Sequence, residues 1–177
     1  MRKIIYYVAT SIDGYIMGAD ENMGSFVGTG NGVEKYLADL QHFDTVIMGR
    51  KTYEFGYKYG VVPGQPAYPH MQHYIFSNTL KLENPHENII VKKPDLNFIK
   101  ALKKENGTDI YLCGGGIFAG WLLDNGLIDV LKIKLNPLVL GSGVRLFGDS
   151  SAAFKLELIK IELFENGLQM MAYKLIY

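Results

Sequence analysis

The sequence predicts an α/β protein with a mixed β-sheet, and three observations support that fold class. Along the first two thirds of the chain, apolar runs rich in Ile, Val and Tyr alternate with segments of helical periodicity. In the last third, apolar and polar residues alternate as in half-exposed antiparallel strands. No internal repeat or Ser/Gly linker divides the 177 residues, a length that suits one domain. We therefore expect a single domain over 1–177, with helices on both faces of the sheet.

The elements of the first two thirds follow from the apolar periodicity and from the residues that end each run. Buried strands are predicted at 3–9, 45–48, 73–77, 88–91 and 109–113. Helices are predicted at 33–43, 51–55, 94–104 and 117–123. In the first helix one face carries the apolar side chains, which are Val33, Tyr36, Leu37 and Leu40. Pro94 is expected near the first turn of the third helix, where its missing N–H is tolerated.

The last third is predicted to be rich in β-structure. Strands are predicted at 130–136, 138–141, 154–164 and 168–177. Glu165-Asn166-Gly167 joins the last two as a hairpin turn. These strands would form the antiparallel part of an otherwise mostly parallel sheet.

Charge and cysteine content exclude several classes of protein. The chain has 18 Lys and Arg against 18 Asp and Glu, so its formal net charge is zero, and a general nucleic-acid binder is not expected. A single cysteine excludes an intramolecular disulfide framework and a zinc site that needs several thiolates. The four histidines have no i, i+4 pairing on one helix, so we predict no metal site.

No segment is predicted to insert into a membrane. The N-terminus is basic and then apolar, but Asp13 interrupts the run and no small-residue cleavage site follows. The uncharged stretch 110–123 is too short and too rich in glycine to span a bilayer. We therefore predict a cytoplasmic protein.

The strongest local motif lies at 109–120, where a strand runs into three glycines that open a helix. Glycine lets the backbone turn tightly and approach a ligand, and a helix start offers unpaired N–H groups to a diphosphate. The alternative, that the glycines only pack the helix on the sheet, stays open at this point. The motif is not a Rossmann fingerprint, because that pattern should open the domain and an acidic residue should end the next strand. Here the next strand ends at Asn136-Pro137.

A second motif follows the strand at 45–48 with Gly49, Arg50, Lys51 and Thr52. Arginine offers a planar fork to a phosphate and lysine a point charge, and two cations at a helix start are unfavourable unless an anion binds there. The alternative is that both cations are simply solvated. Ser77 and Asn78 end another strand and on their own indicate a turn more than a ligand contact.

Five segments together carry a resemblance to a known family, and they are SIDGYI (11–16), VIMGRKTYE (46–54), YIFSN (74–78), YLCGGGIFAGWLL (111–123) and LGSGVRLF (140–147). The chain resembles dihydrofolate reductase-like proteins, and more closely the reductase domain of the bifunctional riboflavin-biosynthesis deaminase–reductase. The resemblance covers nearly the whole chain. It implies a three-layer αβα fold with an eight- or nine-stranded mixed sheet, and a reductase that uses NADPH. It also implies a homodimer, which would cover the edge of the C-terminal strands.

The resemblance assigns cofactor contacts residue by residue. The adenosine 2′-phosphate side and the diphosphate fall to Gly49, Arg50, Lys51 and Thr52, and the adenosine end to Ser77 and Asn78. The diphosphate and nicotinamide half falls to Gly114, Gly115, Gly116, Ile117 and Phe118, and the nicotinamide to Ala9, Ile16 and Gly18. Independently of the resemblance, the Arg50–Lys51 pair favours NADP over NAD, because NADP carries one more phosphate.

The chain departs from its relatives where substrate should bind. The position at which dihydrofolate reductases hold the glutamate tail with an arginine is Met71, and the pteridine-binding acid falls on Val33, one residue before Glu34. With Cys113 as the single cysteine, a zinc deaminase is not expected, and a motif usual after the second strand of the riboflavin enzymes is absent. Asp13 matches the acid of the S-x-D-G loop and is the first candidate proton donor, with Glu34 the second.

Several functions stay open on the sequence alone. The preferred prediction is an NADPH-dependent reductase acting on a small pyrimidine- or pteridine-like or ribosylamino substrate, similar to 5-amino-6-(5-phosphoribosylamino)uracil reductase. The alternatives are a domain that binds NADP without catalysis, a true dihydrofolate reductase, and an unrelated α/β binding module whose glycine turn only packs.

Overall fold

A central eight-stranded sheet organises the molecule, and a small two-stranded sheet lies beside it. The computed structural model describes residues 1–19 and 21–177. The strands are β1 (Ile4–Thr10), β2 (Tyr15–Gly18), β3 (Thr45–Gly49), β4 (Gln72–Phe76), β5 (Ile89–Lys92), β6 (Ile110–Leu112), β7 (Val130–Leu135), β8 (Gly143–Arg145), β9 (Lys155–Leu163) and β10 (Gln169–Ile176). The helices are α1 (Asn31–Leu40), α2 (Arg50–Phe55), α3 (Leu96–Leu102) and α4 (Gly116–Asp124).

The strand order of the central sheet is β5-β4-β3-β6-β1-β7-β10-β9. The strands from β5 to β7 are all parallel, whereas β10 runs antiparallel to both β7 and β9. The mixed, mostly parallel sheet with antiparallel C-terminal strands is therefore confirmed. A short 3-10 turn at Glu165–Gly167 connects β9 to β10, where the hairpin turn was predicted.

Helices cover the sheet on both faces, which gives three layers. Successive side chains of a strand point to opposite faces, so neighbouring tyrosines of β1 belong to different cores. Tyr6 packs in the core that includes Ile99 of α3 and Leu122 of α4. Tyr7 packs in the other core, with Leu40 of α1 and Tyr53 of α2. Because both faces of β1 are covered, its sequence is continuously apolar rather than alternating.

The small sheet formed by β2 and β8 was not predicted. A strand was predicted at 138–141, whereas the structure has a loop there and the strand at Gly143–Arg145. Both strands are too short to show an alternating pattern, and Gly143 lies at φ 142°, a conformation that favours glycine. A side chain at Gly143 would also collide with the backbone oxygen of Met17 on β2.

Two helices begin or end away from their predicted limits. Helix α1 begins at Asn31 and ends at Leu40, and Leu37 lies on its solvent side rather than on the apolar face. Helix α3 begins at Leu96, because Asp95 caps it by accepting a hydrogen bond from the Asn97 N–H at 2.8 Å. Pro94 therefore precedes the cap instead of lying in the first turn.

Candidate active site at the carboxyl ends of the strands

The two motifs predicted to bind phosphate lie side by side. Strands β3 and β6 are parallel neighbours in the sheet, so the turns that follow them emerge at the same edge. Strand β3 ends at Gly49 and leads directly into α2, which carries Thr52, whereas Gly114 and Gly115 form the turn between β6 and the start of α4 at Gly116. Thr52 packs directly on the glycine turn, since a Cβ added to Gly115 would lie 2.5 Å from Thr52 Oγ1.

The glycine turn has a conformation that other residues adopt only with strain. Gly114 and Gly115 lie at φ 50° and 78°, in the left-handed region. Gly116, the first residue of α4, has no room for a side chain because the backbone oxygen of Arg145 lies against it. Packing therefore accounts for Gly116 against Arg145 and also for Gly115 against Thr52, and the positive φ of Gly114 and Gly115 gives a second reason for glycine at the edge where the two motifs meet.

Arg50 links this edge to the loop after β4. Its guanidinium donates to the Glu54 carboxylate at 2.7 Å and to Thr79 Oγ1 at 2.8 Å. Arg50 and Lys51 are both exposed, and within residues 1–19 and 21–177 no acidic side chain pairs with Lys51. Arg50 is thus paired with Glu54, and Lys51 is the cation of this motif without an acidic partner in the described residues.

Ser77 and Asn78 lie in the loop that Arg50 reaches. The Ser77 hydroxyl accepts hydrogen bonds from the N–H groups of Thr79 and Leu80 at 3.1 and 2.9 Å, so it forms the turn that its sequence indicates. Asn78 is exposed beside it. The adenosine-end positions therefore adjoin the cations in space.

The residues assigned to the nicotinamide differ in exposure. Ala9, at the end of β1, is half-buried, whereas Ile16 is buried in the core and Gly18 is buried and pairs with β8. Ile117 is exposed at the start of α4. The Phe118 ring packs in the core, stacked on Phe76 with 5.0 Å between ring centroids, so a ligand could contact only its backbone.

Asp13 is held by the backbone of the loop before β8. Its carboxylate accepts hydrogen bonds from the N–H groups of Leu140 at 3.1 Å and Gly141 at 2.7 Å. The Ser11 hydroxyl and these N–H groups lower the pKa of the Asp13 carboxyl to about 2. At neutral pH this side chain is therefore an anion that can orient or accept but has no proton to release.

On helix α1, the candidate acid Glu34 faces solvent, whereas the aromatic residue Tyr36 faces the sheet. Glu34 is exposed on the first turn, while Tyr36 turns toward the sheet and its hydroxyl lies 2.8 Å from that of Tyr111 on β6. The Tyr68 hydroxyl lies 3.5 Å from Cys113 Sγ in the same cluster. Burial raises the pKa of Tyr111 and Tyr68, so both phenols stay neutral.

Two polar residues near the site were not predicted from the sequence. Lys134 lies in β7, and Asn136 directly follows that strand. Asn136 is fully buried, donates to the backbone oxygen of Lys134 at 2.9 Å and accepts from the Val27 N–H at 2.9 Å, which fixes the segment before α1. Lys134 is buried beside Ala9, its partner in the β1–β7 ladder. The sequence signal for Asn136 was its place at a strand end before Pro137, and nothing distinguished Lys134 from Lys132.

The comparison with protein families decides which family this site belongs to. The model of the RibD C-terminal domain matches residues 2–170. The chain belongs to the RibD C-terminal domain family. The chain is also similar in sequence to the uncharacterized protein YwjB of Bacillus subtilis. The two are 30% identical over 174 residues, which cover 96% of each chain.

Solved structures support the same membership of the RibD C-terminal domain family. A Shewanella sp. PV-4 protein, whose name provisionally assigns it to riboflavin biosynthesis, is 26% identical over the full length of both chains with a TM-score of 0.82. A deaminase/5-amino-6-(5-phosphoribosylamino)uracil reductase of Thermotoga maritima shares the fold with a TM-score of 0.70 at 14% identity. The present chain covers 57% of that Thermotoga protein. The fold is thus that of RibD reductase-like proteins, as the resemblance implied.

The described residues contain neither a helix able to cross a membrane nor a cluster of side chains able to hold a metal ion. Within 1–19 and 21–177, no helix combines the length and apolarity needed to cross a membrane. In the same residues, no group of three or more His, Cys, Asp or Glu side chains converges in a way that could hold a metal ion.

Proposed function

We propose that this protein is an NADPH-dependent reductase that reduces a small pyrimidine- or pteridine-like or ribosylamino compound. The observation that carries the proposal is the contact between Thr52 and the turn at Gly114–Gly115, which joins the two phosphate-binding motifs at one edge of a RibD-family sheet. NADPH, when bound, supplies the hydride. The protein contributes binding, orientation and the protonation of the substrate.

The residues present fit NADPH at this edge. Gly114 and Gly115 form a turn with positive φ against which Thr52 packs, and the proposal places the diphosphate on the backbone of this turn. Arg50 and Lys51 supply two exposed cations for the 2′-phosphate, which NADH lacks.

The proposed substrate class rests on the name of a family relative and on Met71, which replaces the arginine of dihydrofolate reductases. The Thermotoga relative is named as a 5-amino-6-(5-phosphoribosylamino)uracil reductase, which supports a related heterocycle as substrate. Met71, at the position where dihydrofolate reductases place an arginine, is fully buried in the core. Recognition of a folate glutamate tail at that position is therefore not part of the proposal.

Two acids remain candidates for the proton that accompanies the hydride. Asp13 is ionised at neutral pH, which suits a group that orients a donor more than a donor itself. Glu34 is exposed on the first turn of α1. The proposal keeps both as catalytic candidates, and substitution of each distinguishes them.

Substrate-dependent oxidation of NADPH tests the proposal. The wild-type protein is mixed with NADPH and 5-amino-6-(5-phosphoribosylamino)uracil, and then with dihydrofolate, while the absorbance of NADPH is followed. We expect consumption of NADPH with the uracil derivative and little with dihydrofolate. A Thr52→Tyr variant, which would fill the edge next to Gly115, should lose this activity, whereas Lys81→Ala on the surface should keep it. NADPH binding without oxidation would instead support a cofactor-binding domain that lacks catalysis.

We also propose that the protein is a homodimer that covers β9. Strand β9 is one of the two edges of the sheet, and Leu158, Ile161 and Leu163 are 52%, 49% and 76% exposed on its face toward the α3–α4 side. The opposite face of β9 carries Lys160 and Glu162, which form an ion pair. A second copy would bury the apolar face and leave the charged face in water.

Molar mass in solution tests the dimer. Size-exclusion chromatography with light scattering should give twice the chain mass for the wild type and for Lys160→Asp. It should give the chain mass for Leu158→Asp, since a buried unpaired charge opposes association. A wild-type monomer, or a Leu158→Asp dimer, would contradict the proposal.

A further inference from the structure

Lys134 has a largely buried side chain, and within residues 1–19 and 21–177 its ammonium has no salt-bridge or hydrogen-bond partner, although Nζ itself still reaches solvent. Its side chain lies on the α1 side of β7 and is 9% exposed. In the part of the chain that the structure describes, no carboxylate and no hydrogen-bond acceptor lies within bonding distance of Lys134 Nζ; its one polar neighbour is the ring face of Tyr36, with 4.8 Å between Nζ and the ring centroid. Burial alone lowers the pKa of Lys134, with no charged group acting on it.

Lys132 shows what a structural lysine on the same strand face looks like. It lies two residues before Lys134, on the same side of β7. Its ammonium forms an ion pair with Asp39 of α1 and lies 4.3 Å from the centroid of the Tyr7 ring. The two lysines on this face thus differ in burial and in partner, because Lys132 is half-buried and pairs with Asp39 whereas Lys134 is buried and has no carboxylate in the described residues.

Two acids on this face of the sheet, Asp39 and Glu162, are already engaged. Asp39 binds Lys132 and also Lys35. Glu162 lies two strands away from Lys134, across Met170, and pairs with Lys160 at 2.9 Å. The stem of Lys134 is buried while its unpaired Nζ reaches solvent, so the ammonium is available to a ligand. A lysine with a perturbed pKa at such a position is more typical of a functional site than of a packing role.

The position of Lys134 connects it with the reaction. Ala9, its direct partner across the β1–β7 ladder, belongs to the nicotinamide-lining positions of the resemblance and is half-buried on a central strand. Cys113, on the other side of β1, is also half-buried. This face of the sheet is therefore only partly covered at Ala9 and Cys113, toward the carboxyl ends of the strands, and Lys134 lies beside Ala9.

We infer that Lys134 binds the substrate, donating a hydrogen bond from Nζ to a carbonyl or enolate oxygen of a flat heterocycle that lies over Ala9. The inference rests on the proposed reductase function and names a specificity-determining residue for it. A single ammonium with one free side suits one oxygen, whereas a phosphate group is usually bound by several cations or backbone N–H groups. The aromatic ring of Tyr36, whose centroid lies 4.8 Å from Lys134 Nζ, suits a flat heterocycle beside it.

The matched pair Lys134→Met and Lys132→Met tests the inference. Both substitutions keep the length and apolar stem of the side chain and remove the charge. Thermal unfolding without ligand, NADPH affinity, and KM and kcat with 5-amino-6-(5-phosphoribosylamino)uracil are measured for each. Binding of 6-aminouracil to the NADPH-loaded protein is the second probe, because it carries ring carbonyls without the sugar phosphate.

We expect opposite behaviour from the two variants. Lys134→Met should unfold at the same or a higher temperature than wild type and keep its NADPH affinity. Its KM should rise about ten- to hundredfold, the effect of one hydrogen bond to a charged group, with a smaller change in kcat. Lys132→Met should unfold at a lower temperature, because Asp39 loses a partner, and should keep the wild-type KM. Lys134→Gln, which retains a donor without charge, should fall between wild type and Lys134→Met in KM.

The outcomes separate this inference from the function on which it rests. A wild-type protein that binds no NADPH overturns the proposed function. A wild-type protein that oxidises NADPH while Lys134→Met keeps the wild-type KM overturns the role of Lys134 alone. The same conclusion follows if Lys134→Met is destabilised as much as Lys132→Met and its KM does not change. It also follows if the NADPH-loaded wild type and Lys134→Met bind 6-aminouracil with the same affinity.

Discussion

A single methyl group at Gly115 should disrupt the turn that carries the proposed cofactor site. In Gly115→Ala, the new Cβ would meet Thr52 Oγ1 at 2.5 Å, and the residue would have to stay at φ 78°. The left-handed conformation costs about 1–2 kcal/mol for a residue with a Cβ. Overpacking against Thr52 adds about 1–3 kcal/mol. We therefore expect the free energy of unfolding to fall by about 2–5 kcal/mol, a large part of the stability of a typical domain.

Urea unfolding of a double-mutant cycle separates the two contributions. Thr52→Ala removes the hydroxyl that the new methyl group meets, so Gly115→Ala should be less destabilising in that background by the overpacking part, about 1–3 kcal/mol. Gly28→Ala is the control, because Gly28 has no atom within 4 Å of an added Cβ and no positive φ. If Gly115→Ala is as stable as Gly28→Ala, the packing of Thr52 on the glycine turn is not as described.

Two further predictions concern titratable groups. Burial lowers the pKa of His73 to about 4, and the ring is satisfied as a neutral tautomer, with Nδ1 bonded to Met71 O at 2.9 Å and Nε2 accepting from the Tyr68 N–H at 3.2 Å. Because the unfolded chain takes up this proton first, stability should fall by about 3 kcal/mol as the pH drops from about 6.5 to 4, and His73→Gln should lose that slope in urea unfolding. Asp13→Asn should keep NADPH affinity and lower kcat, because the amide retains an acceptor for the Gly141 N–H but loses the charge. An acid slope that persists in His73→Gln, or a wild-type kcat in Asp13→Asn, would contradict the respective prediction.

The sequence was sufficient for the features that depend on local order. A buried strand followed by Gly49 or by the glycines at 114–116, and then by a helix, predicts two turns able to approach a phosphate, and the structure has both turns. The alternation in the last third likewise predicts the antiparallel pairing of β9 and β10. Such patterns can be recognised in the sequence because hydrophobic periodicity and turn-forming residues are local features, each contained within about a dozen residues.

What the sequence did not predict depends on contacts between distant segments. The β2–β8 pair is too short for a periodic pattern, and the segment at 143–145 follows glycines that resemble a loop. Lys132 and Lys134 are equivalent in the alternating pattern, and only the position of Asp39 on α1 distinguishes the paired lysine from the unpaired one. Phe118 was assigned to the cofactor, and its ring packs in the core, because a resemblance does not separate a backbone contact from a side-chain contact.

Direct titration of the wild-type protein with NADPH and with NADH tests the central claim most directly. Calorimetry should show one NADPH site per chain, bound at least about tenfold more tightly than NADH, a difference of about 1.4 kcal/mol. The preference should shrink in Arg50→Ala, whose cation is proposed to bind the extra phosphate. Failure to bind either nucleotide, or equal affinity for both, would contradict an NADPH-dependent reductase at this edge of the sheet.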